Sequence, residues 1–430
     1  MNILVVGVGY VGTTTALLFA ELGCTVTGFD TDIQKIQALK AGNLPFFEPG
    51  LDTLLDKHVH LGTLTFTADP AQAIREHQVI FVCVGTPSQA DGSTNLTYVQ
   101  KVVETIGYYM ESYKLIVMKS TVPIGTHKKV CQWVSDAQHV HVPFDVVSNP
   151  EFLREGSAVY DCFHPDRIVI GSDSETAAQQ VSMLYKSIDS PLVITNPSTA
   201  EMIKYASNAF LATKISYMNE LARLCDQVDV SISTVAQGMG LDSRIGRSFL
   251  RAGIGYGGSC FPKDVLSLLH TAKDYGMDLN LLRSVVEVNN TQCQYFMKCL
   301  RKKLGILRGK RIAILGLSFK PGTDDMREAP ALTIMKELLG CGSFLKVHDP
   351  VAKLSDGWKT PAIKQYDSIE ETLLNVHAVI LCTEWSDYVE GDWDAWRHLL
   401  KLPYLLDGRN VLDRSQLESW GLDYNGIGNG

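Results

Sequence analysis

The segment from Phe249 to Asp264 reads F-L-R-A-G-I-G-Y-G-G-S-C-F-P-K-D, and its residue types point to nucleophilic chemistry beside an anion. Glycines 253, 255, 257 and 258 are expected to leave backbone amides bare for a phosphate or diphosphate. Pro262 suits the first position of a helix over 263–272, which places Cys260 just ahead of a helix N-terminus. There the macrodipole and nearby Lys263 favour the thiolate. Asp264, one turn further on, could hold a water or relay a proton, the alternative being the cap-like carboxylate common in a first helical turn. The bland alternative is a buried cysteine in a packing loop. The other nine cysteines lie singly, many in apolar runs such as F-V-C-V at 81–84, and no C-x-x-C pair occurs. They read as mostly buried, inert thiols of a reducing cytoplasm.

Two further groups of residues fit this chemistry. Lys204 and Asn208 are four positions apart on an expected helix that starts with a capping box of Ser198 and Glu201, so both leave one face and can donate to one oxygen. Tyr205 and Phe210 flank the pair and suggest partial burial. Glu151 follows Asn149-Pro150 in a loop after an expected strand over 145–148, where α/β folds carry ligand sites.

The N-terminus supplies a cofactor signal. A strand over 2–6 runs into Gly7-Val8-Gly9-Tyr10-Val11-Gly12, a helical stretch follows over 13–22, and a second strand over 25–29 ends on Asp30. In that context the glycines make a tight turn, admit a pyrophosphate and allow close helix packing. Asp30 would accept the ribose hydroxyls and repel a 2′-phosphate, which favours NAD over NADP despite Lys35 nearby.

The elements that must position these residues fall into three parts. Apolar runs at 79–84 and 115–118 continue a parallel sheet. From Ser198 to about residue 300 the period is helical, and strand-like runs resume at 311–315, 345–347, 378–382 and 404–406. The expected fold class is α/β: two Rossmann-like doubly wound domains joined by a helical connector with a long central helix. Its domains are an NAD-binding domain over 1–197, a helical connector and dimerisation domain over 198–300, and a second α/β domain over 301–430. The two ends resemble each other only in class. With 430 residues, 45% hydrophobic and 20% charged, and a net charge of −8, the chain reads as soluble and globular. It lacks the basic excess of a nucleic-acid binder and any apolar run able to span a bilayer or act as a signal peptide. His58/His60 and His139/His141 read as strand surface, leaving no metal site. Trp385, Trp393 and Trp396 read as packing.

The chain resembles the UDP-glucose/GDP-mannose dehydrogenase family along essentially its whole length. The matching motifs are G-Y-V-G (9–12), F-E-P-G-L (47–51), V-G-T-P (84–87), K-S-T-V-P-I-G-T (119–126) and N-P-E-F-L-R-E-G (149–156). E-M-I-K-Y-x-x-N (201–208), G-Y-G-G-S-C-F-P-K-D (255–264) and G-L-S-F-K-P-G-T-D-D (316–325) complete the series.

The resemblance implies oxidation of a nucleotide sugar at C6 to the acid in two NAD-dependent steps, through a thioester on Cys260. The domain over 301–430 is then UDP-sugar-binding, Lys204 and Asn208 are catalytic and stabilise an alkoxide and a tetrahedral oxyanion, Asp264 is catalytic, Glu151 is the general base for thioester hydrolysis, and Thr121 helps hold the water. Cofactor contacts fall on Gly7, Gly9, Tyr10, Val11, Gly12, Asp30, Lys35, Thr86, Ser120, Thr121, Glu155 and Arg327. Substrate contacts fall on the Phe152, Leu153, Arg154 and Glu155 backbone, and on Lys204, Asn208, Phe249, Arg251, Gly257, Lys320 and Arg409. Arg244 matches an arginine that reaches the sugar of a neighbouring subunit, in keeping with a homodimer. F-H-P-D-R-I-V-I-G at 163–171 favours UDP-glucose as substrate over GDP-mannose or a UDP-N-acetyl sugar. A non-catalytic NAD-binding regulator is the remaining alternative.

Overall fold

The computed structural model describes residues 1–429. It divides into two compact units, Met1–Ser207 with Leu266–Met277, and Asn208–Val265 with the chain from Asp278 onward. The helices Pro197–Val228 and Phe261–Asp274 each pass from one unit to the other along the chain.

The first unit is built on β1 (Asn2–Val6), β2 (Thr25–Phe29), β3 (Leu64–Thr67), β4 (Val79–Val82), β5 (Lys114–Met118), β6 (Phe144–Ser148), β7 (Ile168–Ser172) and β8 (Leu192–Thr195). They form one sheet in the order β3-β2-β1-β4-β5-β6-β7-β8, parallel except for the β6–β7 pair. β4 and β5 are buried at every position, as the apolar runs 79–82 and 115–118 require in a sheet covered on both faces. Alternate side chains separate into two cores, with Ile3, Val5 and Phe81 in one and Leu4, Val6 and Ile80 in the other.

The second unit carries β9 (Arg311–Leu315), β10 (Phe344–His348), β11 (Ile363–Gln365), β12 (Ala378–Leu381), β13 (Tyr404–Asp407) and β14 (Asp423–Asn425), in the order β11-β10-β9-β12-β13-β14. That is the order of the first six strands of the other sheet, so the likeness between the chain's two ends extends beyond class to topology. It reaches individual residues. Asp30, after β2, accepts from the Val8 amide, and Asp349, after β10, accepts from the Leu317 and Ser318 amides. Trp385, Trp393 and Trp396 are core residues of this unit, as expected.

Three local readings need correction. Ser198 does not cap its helix. The helix starts at Pro197, and the Asn196 side chain accepts from the Thr199 amide in the capping role. Glu201 instead turns its carboxylate to the amides of Gly125 and His127, at the start of the helix Thr126–Ala137. His58 and His60 lie on a helix, Leu51–His60, rather than a strand. Its buried Leu51, Leu55 and His58 follow a helical period that outweighs the alternating histidines. His139 and His141 lie in the loop before β6. Phe210 is 64% exposed, whereas Tyr205 is fully buried. Among the described residues no helix is long and apolar enough to cross a membrane, and no cluster of His, Cys, Asp or Glu could hold a metal.

Candidate active site

In the first unit the motif loops follow β1, β2, β4, β5 and β6, at the carboxyl ends of the strands where open α/β sheets bind ligands. The three glycines of the first loop differ in what surrounds them. Gly7 has φ +90°, a left-handed turn that a side chain would strain. A Cβ on Gly12 would come within 1.8 Å of the Gly7 carbonyl oxygen, so this glycine brings the helix Tyr10–Glu21 down onto the strand. A Cβ on Gly9 would meet nothing within 4 Å. No packing demand explains that glycine, and its bare backbone at a helix N-terminus fits a pyrophosphate. Asp30 accepts from the Val8 amide at 3.2 Å and the Lys35 ammonium at 2.8 Å, so a carboxylate stands beside the turn with Lys35 as its partner. The Ser120 hydroxyl donates to the Val84 carbonyl and the Thr86 hydroxyl to the Thr121 carbonyl, tying the loops after β4 and β5 together.

Glu151 and Lys204 meet in this unit. Both are buried, the Lys204 ammonium lies 3.1 Å from one carboxylate oxygen of Glu151, and the other oxygen accepts from the Leu153 amide. The Phe152 ring lies under both Lys204 and the guanidinium of Arg167, 3.8 Å from its centre, which sets the F-H-P-D-R segment against the Glu151 loop. The Leu153 and Arg154 amides are engaged by Glu151 and Asp161. Arg154 itself pairs with Asp161 and is mostly exposed.

In the second unit Cys260 immediately precedes the helix Phe261–Asp274, with Pro262 and Asp264 in its first turn. The Asp264 amide donates to the Cys260 carbonyl at 2.9 Å, and the Ser259 hydroxyl lies 3.5 Å from the sulfur. The Asp264 carboxylate is buried and holds the Asn208 amide nitrogen at 2.6 Å and the Lys263 ammonium, so Lys263 faces Asp264. Burial pushes the Cys83, Cys162, Cys293 and Cys382 thiols up to about 12, which leaves them inert, whereas Cys260 is partly exposed. The glycine loop departs from expectation. Its amides at 253, 254, 256 and 258 donate to Asn219, Gly408, Asn289 and Arg327, so most of the loop is fastened internally rather than bare. Gly257 packs against the Glu328 carbonyl, which a Cβ would approach to 2.1 Å.

Beside this loop, at the carboxyl ends of β9, β12 and β13, is a cavity of about 490 Å³. It brings together the expected Phe249, Arg251, Gly257, Lys320 and Arg409, and adds Arg247, Tyr256, Phe319 and Glu384. Four cationic side chains against one carboxylate suit a diphosphate, and the volume suits a nucleotide-sized ligand. Arg409 also braces the walls, donating to the carbonyls of Cys382, Gly255 and Phe319, while buried Asp407 accepts from the amides of Arg409, Val411 and Leu412. Phe249 has φ +63°, a strained value of the kind concentrated at functional sites. Arg244 and Arg327 are exposed and paired with Asp242 and Asp325.

Profiles of one family match the chain in three successive stretches. Its NAD binding domain covers residues 1–189, its central domain 198–291 and its UDP binding domain 313–414. The chain belongs to the UDP-glucose/GDP-mannose dehydrogenase family. Within this family it is 44% identical to the UDP-glucose 6-dehydrogenase TuaD of Bacillus subtilis, over 99% of this chain and 93% of the relative. It is 41% identical to a UDP-glucose 6-dehydrogenase of Rhizobium meliloti over 100% and 99%. The solved UDP-glucose dehydrogenase of Pyrobaculum islandicum superposes with a TM-score of 0.93 at 37% identity, covering 100% of this chain and 98% of that one. Family membership gives the first unit its cofactor, NAD, in agreement with the geometry around Gly9 and Asp30.

Besides those added cavity residues, the roles of two buried carboxylates escaped the sequence reading. Glu48, in F-E-P-G-L, is buried, accepts from the Tyr10 hydroxyl and the Gly156 and Ala158 amides, and so clamps the Glu151 loop to the dinucleotide turn. Burial and that carboxylate push the Tyr10 phenol far above its usual value. Glu201 plays a similar part on the next loop. Each stood inside a quoted motif, but its partners are remote in sequence.

Proposed function

We propose that this protein oxidises UDP-glucose to UDP-glucuronate at the expense of two NAD, with Cys260 as the covalent nucleophile. The observation that carries the proposal is the placement of Cys260 at a helix start, in the unit whose cationic cavity takes Arg251, Lys320 and Arg409. NAD, when bound, accepts the hydride in both oxidations. The chain's residues do the rest. Lys204 and Asn208 donate to the alkoxide that precedes the first oxidation, and buried donors of this kind stabilise developing negative charge strongly. The Cys260 sulfur adds to the aldehyde to give a thiohemiacetal, whose oxidation leaves a thioester. Glu151, assisted by Thr121, takes the proton of the water that attacks the thioester, releasing the acid and the thiol. Asp264 holds Asn208 in position and serves as the proton relay beside Cys260.

UDP-glucose is supported by the names of the full-length relatives and by Arg167 of the F-H-P-D-R segment, seated on the Phe152 ring. The further roles of Tyr10, Val11, Lys35, Glu155 and Arg327 toward NAD, and of Arg244 toward a neighbouring subunit's sugar, belong to the same proposal. So does the homodimer. Phe210, Tyr217 and Leu224 recur at heptad spacing on the helix Pro197–Val228, exposed by 64, 49 and 58%, and an apolar stripe of this kind suits a partner helix. Sedimentation of the purified protein as a monomer at micromolar concentration would refute it. Ten cysteines with no disulfide among the described residues support a cytoplasmic location, refuted by recovery of the native protein outside the cytoplasm on cell fractionation. The function itself is tested by a panel of nucleotide sugars assayed for NADH. UDP-glucose should be turned over best, and preference for GDP-mannose or a UDP-N-acetyl sugar would overturn the substrate.

A further inference from the structure

Glu201 sits three residues before Lys204 on the helix Pro197–Val228 and is 4% exposed. One carboxylate oxygen accepts from the Gly125 amide at 2.6 Å and the other from the His127 amide at 2.9 Å. Those amides begin the helix Thr126–Ala137, whose own N-cap, Gly125, has no side chain to offer. The loop that ends there carries Ser120 and Thr121. Next to Glu201 is a cavity of about 10 Å³, the size of one water, lined also by Thr121, Ser148, Pro150 and Lys204. The Ser148 hydroxyl, on a side chain 3% exposed, has no protein partner among the described residues. A single water there would reach Ser148, Glu201 and Lys204.

We propose that Glu201 is a positioning residue of this site, whose charge clamps the Thr121 loop to the helix of Lys204 and acts on Lys204 through one water shared with Ser148. Neutral glutamine cannot replace it, because its NH2 group would face one of the two backbone N–H donors. Burial raises the Glu201 carboxyl to about 7, so the clamp changes charge near neutrality. Lys204 lines the same cavity and is paired with Glu151, and His127, whose backbone amide Glu201 holds, is paired through its ring with Asp173. Burial holds His127 below its usual value.

The catalytic part of this inference rests on the proposed reaction, and its test has an arm that does not. With NAD and UDP-glucose saturating, wild-type kcat should rise with pH through an inflection near 7. In Glu201→Gln that inflection should vanish and kcat fall by about tenfold or more, with KM for both ligands within about twofold. Glu201→Asp should recover part of the loss. Glutamine working as well as glutamate, with the inflection intact, would overturn the proposal. Should Glu201→Gln not fold, Ser148→Ala keeps the backbone clamp and should move the inflection to higher pH, because the carboxylate loses a relayed donor. An unmoved inflection counts against the proposal. Independently of turnover, difference infrared spectra of ligand-free enzyme between about pH 6 and about pH 8 should show a protonated-carboxyl band that Glu201→Gln lacks. Its absence from the wild type would refute the assignment. Its presence in an enzyme that ignores UDP-glucose would sink the substrate reading while supporting the titrating Glu201.

Discussion

Alanine at Gly9 and at Gly12 should break different things, although the two glycines share one motif. Gly9 has φ −81°, which alanine adopts freely, and its Cβ would have no neighbour within 4 Å. Because it caps the helix Tyr10–Glu21, Gly9→Ala should cost no more than about 1 kcal/mol, or about 2–4 °C in Tm. On the proposed NAD site the same methyl would stand where a pyrophosphate approaches, so NAD affinity should fall by at least about tenfold, equal to about 1.4 kcal/mol. At Gly12 the Cβ would lie 1.8 Å from a backbone oxygen, which cannot swing aside like a side chain. Gly12→Ala should therefore cost about 3 kcal/mol or more in stability even without cofactor. Thermal unfolding of the ligand-free proteins and titration calorimetry with NAD separate the two effects. If Gly9→Ala binds NAD like the wild type, the open space above Gly9 is not the pyrophosphate's approach. If Gly12→Ala melts like the wild type, the packing argument is wrong.

Three further expectations follow from named contacts. Since burial raises Glu201 from 4.5 to about 7, the folded protein holds this proton more tightly than the unfolded chain. The resulting stabilisation is complete below about pH 4.5 and lost as pH rises through about 7, so at about 1.36 kcal/mol per unit it should shrink by about 2–3 kcal/mol between pH 5 and pH 8. The difference in unfolding free energy between wild type and Glu201→Gln over that range measures it, and a difference independent of pH would contradict it. Cys260→Ser should accumulate a slowly hydrolysed sugar ester that intact-protein mass spectrometry detects, whereas an unmodified variant that still forms acid would remove the covalent route. Asp30→Arg exchanges the proposed ribose carboxylate for a phosphate partner and frees Lys35 from its ion pair, so the ratio of NADP to NAD turnover should rise by about tenfold or more. An unchanged ratio would place the ribose elsewhere.

The sequence disclosed what local pattern controls. Apolar runs marked the buried strands, Pro262 marked the helix that Cys260 precedes, and the spacing from Gly7 to Asp30 marked the first strand, turn and second strand. What it hid depends on partners far along the chain. Glu201 looked like half of a local capping box, yet its carboxylate serves a helix some 75 residues earlier, because the helix Pro197–Val228 already has Asn196 and Pro197 at its start. Glu48 sits about 110 residues from the amides it holds. The glycines before Cys260 suggested bare amides, but Asn219 and Asn289, on other helices, take two of them. The helix at Leu51–His60 has leucines four apart ahead of its histidines, a helical signal that the alternating His-Val-His concealed. The shared strand order of the two sheets has no counterpart in local composition.

The central claim is that one cysteine carries the sugar through two oxidations. It is tested most directly by counting NADH against UDP-glucose consumed, with a trap for free aldehyde present. In the proposed reaction a thiohemiacetal on Cys260 would keep the intermediate bound until the second oxidation, so the account predicts about two NADH for each UDP-glucose and little trapped aldehyde. A ratio near one with aldehyde accumulating would contradict it, even with UDP-glucose as the preferred substrate.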